Sequence, residues 1–342
     1  MRSSKPIMAT AAITAILTLL LSSCTLGSID IDLAPGWKAQ SMAVWRQAHP
    51  DMMALSQDGT WLYITGETQA SMLAPSLMAI HLPSGRHQVL LSGLNRADGL
   101  KLAPDGSLWI GEEFDAGQVW RIAEPDTFPA EQVIDRTSLS STNLALTPMP
   151  WAGRFSHEGI AFSKDQRYAY LADEHPEGSL YRLNLKTKEL QVLHPEGGWL
   201  PIRDPDDARG EARALHASRF NRLEDMETLP DGKILLAETG TGKILMLDDT
   251  AQKPAVAVWL QRSEIRHPDN LAWDAKRGWL WITDDDIPSR LWAWTGNRLM
   301  QIASHKKAEI TGVLVHEDKV YLNLQLKQNG TELTLNITET AQ

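Results

Sequence analysis

Carboxylates recur in this sequence at one position of a repeated pattern, and carboxylates gathered in number do the chemistry of hard divalent cations. The clearest copy of the pattern reads Asp98-Gly-Leu-Lys-Leu-Ala-Pro-Asp-Gly-Ser-Leu-Trp-Ile-Gly-Glu-Glu113. Its turn centres on Asp105, so Asp98 and Glu112 are expected to face each other at the open end of a hairpin. Other copies run from 51 to 67, 158 to 174, 224 to 239 and 269 to 285, with a degenerate one from 311 to 325. Four copies then offer acids at their open ends. They are Asp98, Glu112 and Glu113; Glu158, Asp173 and Glu174; Glu224, Asp225 and Glu238; and Asp269, Asn270, Asp284, Asp285 and Asp286. Glu227 lies one step beyond Asp225 on the same side of its strand. On this reading the first and last copies largely lack acids. So many carboxylates at one place repel each other, and without cations several must stay protonated near neutral pH. Calcium takes six to eight oxygens at about 2.3–2.6 Å and suits such a set. Each acid alone reads as a solvated turn end; their recurrence at one repeat position selects metal ligands.

The elements that must position these acids follow from the same repeat. Successive copies start 47, 60, 66, 45 and 42 residues apart. That is the span of a four-stranded propeller blade, of about 40–50 residues, with two insertions near 126–155 and 196–220. Turn residues stand between the strands, as in Pro104-Asp105-Gly106 and Pro230-Asp231-Gly232. No segment carries a sustained helical period. The pattern predicts an all-β, six-bladed β-propeller in which the open ends of all inner hairpins share one face. The alternative, a pair of β-sandwiches, fits six evenly patterned repeats less well. A closing strand is expected from Gln40–Gln47. Trp109, Trp279 and Trp281 fall on strand positions and read as packing between blades. His157 precedes Glu158 and is open to three roles: ligand, general acid, or satisfied core group. Arg154 and Arg222 flank the same entries, where they either clamp a phosphate or pair with nearby acids.

Composition sets the outer bounds. The chain has 342 residues, 43% hydrophobic and 22% charged, with net charge −10 and a single cysteine. Disordered and collagen-like classes are excluded, and so are an internal disulfide and a multi-thiolate zinc site. The acidic balance argues against nucleic acid as a partner. Arg2 and Lys5 precede an apolar run from Ile7 to Leu21 that ends in Leu21-Ser22-Ser23-Cys24. This is the layout of a lipoprotein signal peptide, with Cys24 as the lipidated residue, against the simpler reading of a plain signal peptide. The expected organisation is a signal peptide at 1–23, a lipid-anchored tether at 24–36 and one propeller domain at 37–342. Thr25 after the cysteine resembles lipoproteins sent to the outer membrane, facing the periplasm.

At these residues the chain resembles the bacterial PhoX-type alkaline phosphatase family. Gly153-Arg154-Phe155-Ser156-His157-Glu158-Gly159 is similar to its G-R-F-x-H-E segment, and Leu108-Trp109-Ile110-Gly111-Glu112-Glu113 to L-T-C-E-E. Ala172-Asp173-Glu174 with Leu180-Tyr181-Arg182 resembles T-E-D and Y-R-F. Phe220-Asn221-Arg222-Leu223-Glu224-Asp225 resembles F-x-R-P-E-G, and Pro268-Asp269-Asn270-Leu271 a P-D-N entry strand. The resemblance covers roughly residues 95–290 and implies a six-bladed propeller with calcium and iron at one mouth, cleaving phosphate esters. It makes Glu112, Glu113, Glu158 and Glu224 candidate ligands, with Asp269 and Asn270. Gly111 stands where that family has its metal-bound cysteine, so a thiolate-bridged iron pair cannot form. The entry residues also resemble calcium propellers such as gluconolactonases, paraoxonases and phytase-like esterases, a pattern that Asp98, Glu158 and Asp269-Asn270 fit. The expectations are a metal-dependent hydrolase of phosphate esters, a calcium-dependent lactonase or esterase, or a non-catalytic binding propeller stabilised by calcium.

Overall fold

The computed structural model describes residues 30–70, 74–134, 145–251, 253–326 and 331–340. They form six mainly antiparallel sheets that follow one another along the chain and close into a ring, a six-bladed β-propeller. The inner strands of blades one to six are Pro50–Leu55, Ala97–Leu102, His157–Phe162, Leu223–Thr228, Pro268–Asp274 and Glu309–His316. The second strands are Trp61–Gly66, Leu108–Glu112, Tyr168–Asp173, Ile234–Glu238, Trp279–Asp284 and Lys319–Gln325. Polar turns separate each pair, so alternate residues are free to pack sideways against the neighbouring blade. The result is six apolar clusters, one in each gap between blades. Trp109 and Trp281 are buried in two of them and Trp279 packs beside Trp281, as their strand positions imply.

Closure uses the start of the chain. Trp37–Arg46 pairs antiparallel with Thr331–Glu339 as the outermost strand of blade six. The expected closing strand is thus present and three residues longer at its start. The stretch read as tether is docked from Asp32, which with Leu33 pairs onto the outer strand of blade five. The signal-peptide and Cys24 expectations lie outside the described residues. Among the described residues, no helix is long and apolar enough to cross a membrane.

One helix, Ala208–Ala214, was not legible in the pattern, because seven residues hold too few turns to show a period. Ala208 and Ala212 bury against the cluster between blades two and three. Arg209 strap-links this second insertion to the ring, with Nε and Nη2 donating to Asp173 at 2.9 and 2.6 Å and Nη1 to Asp115 at 2.6 Å.

Candidate metal centre

One irregularity, repeated in every blade, builds the site. In blade two Ala97 lies opposite Glu112, but the next paired residues are Leu100 and Ile110, so the inner strand carries one extra residue. The same β-bulge follows Pro50, His157, Leu223 and Pro268. A bulge re-aims the inserted side chain. Asp51, Asp98, Glu158, Glu224 and Asp269 occupy the position just after the paired residue, and all five line the mouth. Blade six carries its bulge after Thr311, and the equivalent position is Gly312. Its φ is +59°, and a Cβ there would lie 1.9 Å from the Asp51 carbonyl oxygen, so no side chain fits. Blade six instead extends its strands and contributes Glu309 and Gln325.

A second tier stands one residue beyond each second strand. The amides of Glu67, Glu113, Glu174 and Asp285 donate to the carbonyls of His49, Arg96, Ser156 and His267, which closes each hairpin. Glu67, Glu113 and Asp285 line the same cavity of about 390 Å³. A third tier lies two residues before the ring acids, where His49, Arg96 and Arg222 also line it.

Within this mouth the carboxylates interlock. Asp51, Glu67 and Asp98 form one group, Asp98, Glu113 and Glu158 a second, and Glu158, Glu224 and Asp269 a third. In each group, one oxygen from every member lies within 4.8 Å of the others. Asp98 and Glu158 are shared between neighbouring groups, so the three form one arc. Asp51 Oδ1, Asp98 Oδ1 and Glu158 Oε2 are buried without a hydrogen-bond partner. Burial, followed by the charge of neighbouring acids, holds the carboxyls of Asp51, Asp98, Glu158, Glu224 and Asp269 well above their usual range. Burial and the charges of Asp98, Glu67 and Glu174 push Glu113 up to about 11. Buried acceptors of one sign with unused lone pairs fit oxygen-liganded divalent cations, which would replace the missing donors.

Of the residues expected at the site, Asp98, Glu113, Glu158, Glu224, Asp269, Asp285 and Arg222 come together at the mouth. Glu174 stands beside it, accepting from Arg222 Nε at 2.5 Å. Others point elsewhere, by register and by alternation along the second strands. Because side chains alternate, one extra residue on the inner strand makes Ala97, not Asp98, the partner of Glu112. Side chains also alternate along each second strand, so the last paired residues Glu112, Asp173, Glu238 and Asp284 do not line the mouth, whereas Glu113 and Asp285, one residue on, do. Glu112 accepts from the Asn95 amide, Asp173 from Arg209, Glu238 from the Asn221 amide and Asp284 from the Trp292 indole. Asn270 is fully buried beneath the ring, where Oδ1 accepts from the Gly312 amide and Thr283. Glu227 accepts from Lys101 at 3.0 Å in a separate cavity lined by the inner strands.

Two catalytic expectations are also not met. Arg154 binds Asp206 of the second insertion and does not line the mouth. His157 is 1% exposed, its ring packed on Phe155 at 3.9 Å, and burial lowers its pKa to about 3. It is a neutral core group whose Nε2 donates to the Gly153 carbonyl at 3.1 Å. Asp51, Glu67, Glu309, Gln325, Arg96 and His49 were not singled out from the sequence. The signal was present: Asp51 and Glu67 are the two ends of the first repeat copy, and a basic residue two places before the ring acid recurs in blades one, two, four and five.

Gly111 bears on the iron expectation. A Cβ at this position would lie 2.8 Å from both Cβ and the carbonyl oxygen of His157. The position that carries a thiolate in the phosphatase family is therefore closed by packing between blades two and three. Gly111→Cys is expected to lower stability by about 1–3 kcal/mol, as overpacking does, and to bind no added metal. Urea unfolding and metal analysis of the variant check this; a stable, iron-loaded variant would contradict it.

No protein-family model and no curated protein sequence matches this chain. Solved structures share its fold. A gluconolactonase from Xanthomonas campestris is 11% identical, with 90% of this chain and 91% of that one covered and a TM-score of 0.60. A luciferin-regenerating enzyme is 10% identical, with 90% and 96% covered and a TM-score of 0.60. An aldose sugar dehydrogenase from Streptomyces coelicolor, in its PQQ-bound form, is 13% identical, with 90% and 100% covered and a TM-score of 0.56. Identities this low establish the six-bladed fold and leave chemistry to the residues of the site.

Proposed function

We propose that this protein is a divalent-cation-dependent hydrolase, with calcium the cation, that opens a lactone or carboxylic ester at the acidic mouth. The observation that carries this reading is the arc of three carboxylate groups with orphaned buried oxygens. Structural likeness to a gluconolactonase supports the carbonyl substrate. A bound calcium would polarise the carbonyl oxygen and bring water close to it. Asp51, Asp98, Glu158, Glu224 and Asp269 would hold the cations, with Glu67 and Glu113 completing the arc. With that many carboxylates committed as ligands, the base must come from elsewhere. His49 is the one imidazole among the described lining residues, and its Nδ1 lies 3.6 Å from Glu332. Glu332 in turn accepts from the amides of Ala48 and His49 at 2.9 and 3.0 Å, which holds that carboxylate still. In this reading His49 takes the proton from the attacking water, and Glu332 steadies the imidazolium.

A second reading, phosphate ester hydrolysis, is favoured by Arg96 and Arg222 at the rim, since a guanidinium fork matches phosphate oxygens. One experiment separates the readings. The calcium-loaded protein is assayed on aldonolactones, aryl carboxylic esters and aryl phosphates, with chelated protein as the blank. The expected result is calcium-dependent turnover of a lactone or carboxylic ester that falls at least 100-fold in His49→Gln, with the calcium-induced rise in Tm unchanged. Turnover of phosphates alone selects the second reading. A calcium-induced rise in Tm with no turnover on any class selects a binding propeller and overturns both.

A further inference from the structure

Every candidate cation position has one carboxylate that a guanidinium already holds. Arg96 Nη2 lies 2.7 Å from Glu67 and also contacts Glu113. Arg222 places Nη2 3.0 Å from Glu224 and Nε on Glu174. Glu67, Glu113 and Glu224 belong to the first, second and third carboxylate groups in turn. Both arginines adopt left-handed backbone, with φ of +49° and +56°. Residues with a side chain rarely do so, and such outliers cluster where a site demands them. The conformation sets both guanidinium groups at the mouth, each 39% exposed.

We propose that Arg96 and Arg222 make anion binding conditional on cation loading, so that the substrate of this site carries a carboxylate or phosphate group and enters after the cations. This rests on the cation-dependent reading above. In the unloaded mouth, nine lining acids face two lining arginines, and both guanidinium groups are engaged by carboxylates. An approaching anion meets a field of its own sign with no free fork. Cations bound by the arc compete for Glu67, Glu113 and Glu224, neutralise most of the local negative charge and release the guanidinium edges that those acids hold. A planar fork then matches two oxygens of a carboxylate or phosphate. Linkage is reciprocal, so an anion in the forks tightens cation binding by the factor the cations tighten the anion.

Isothermal titration of the full protein with submillimolar inorganic phosphate, and separately with gluconate, tests this in chelator and in calcium. The expected result is no measurable binding of either anion in chelator and binding of at least one in calcium. The tighter anion identifies the substrate's charged group. Arg96→Gln is expected to weaken that binding at least tenfold and to tighten calcium when no anion is present, because a competing cation has been removed. A merely structural arginine would weaken both, so opposite signs are the decisive readout. Arg96→Lys, which keeps the charge without the fork, is expected to fall between. Calcium binding without any anion effect, or anion binding equal in chelator and calcium, overturns this inference and leaves the hydrolase reading standing. Absence of calcium binding overturns both.

Discussion

Glu158→Gln is expected to raise the melting temperature of the chelated protein and at the same time to abolish most of its stabilisation by calcium. Glu158 belongs to two of the three carboxylate groups, is 3% exposed and has an oxygen without a partner. Without cations its charge is opposed by burial and by Asp98, Glu113, Glu224 and Asp51. The amide keeps the shape and removes that charge, so the unloaded fold gains about 2–5 °C. With calcium the same change would delete the anionic member common to two of the carboxylate groups. The calcium-induced rise in Tm should shrink severalfold, and any turnover should fall at least 100-fold. Scanning calorimetry of parent and variant, each in chelator and in millimolar calcium, reads all four states. A variant that melts lower than the parent in chelator, or gains as much from calcium, would show that Glu158 is an ordinary buried acid.

The chelated protein should be most stable in mild acid and lose stability as pH rises, a trend that calcium reverses. Asp51, Asp98, Glu158, Glu224 and Asp269 hold their protons more tightly folded than unfolded. Folding therefore takes up protons. The associated stability is full below the unfolded range near pH 4 and is lost as pH climbs through the folded values. Burial of Asp225, only partly offset by Lys101, raises its pKa to about 6, and Glu113 lies at about 11, so the loss begins in mild acid and continues into alkali. Surface acids act in the opposite direction and at lower pH: hydrogen bonds from Ser56 and Thr60 lower Asp58 to about 2. Between pH 5 and pH 8 the chelated protein should lose on the order of 10 °C in Tm. Calcium binds the deprotonated groups, so its stabilisation should be larger at pH 8 than at pH 5. A chelated protein that melts higher at pH 8 than at pH 5 would contradict the account.

The amino-acid sequence by itself determined the architecture and the face on which the acids gather. Hairpins such as Asp98–Glu113, with a Pro-Asp-Gly turn and Trp-rich second strand, recur at blade spacing and can bury their apolar faces only against one another. The acids at their open ends must then meet at one mouth, and Asp98, Glu158, Glu224 and Asp269 do. Which member of each acidic pair faces that mouth was a matter of register, and register belongs to the tertiary structure. A single inserted residue per inner strand aims Asp98 into the mouth, while alternation along the second strand turns Glu113 to that mouth and leaves Glu112 holding the Asn95 amide. No composition or spacing announces such a bulge, because it is set by how closely neighbouring inner strands approach around the ring. The same close approach admits only glycine at 312, closes position 111 to a thiolate and buries His157 as a neutral core group. It also brings Asp51 and Glu67 of the first blade beside Asp98 of the second, completing a carboxylate group that no single repeat contains.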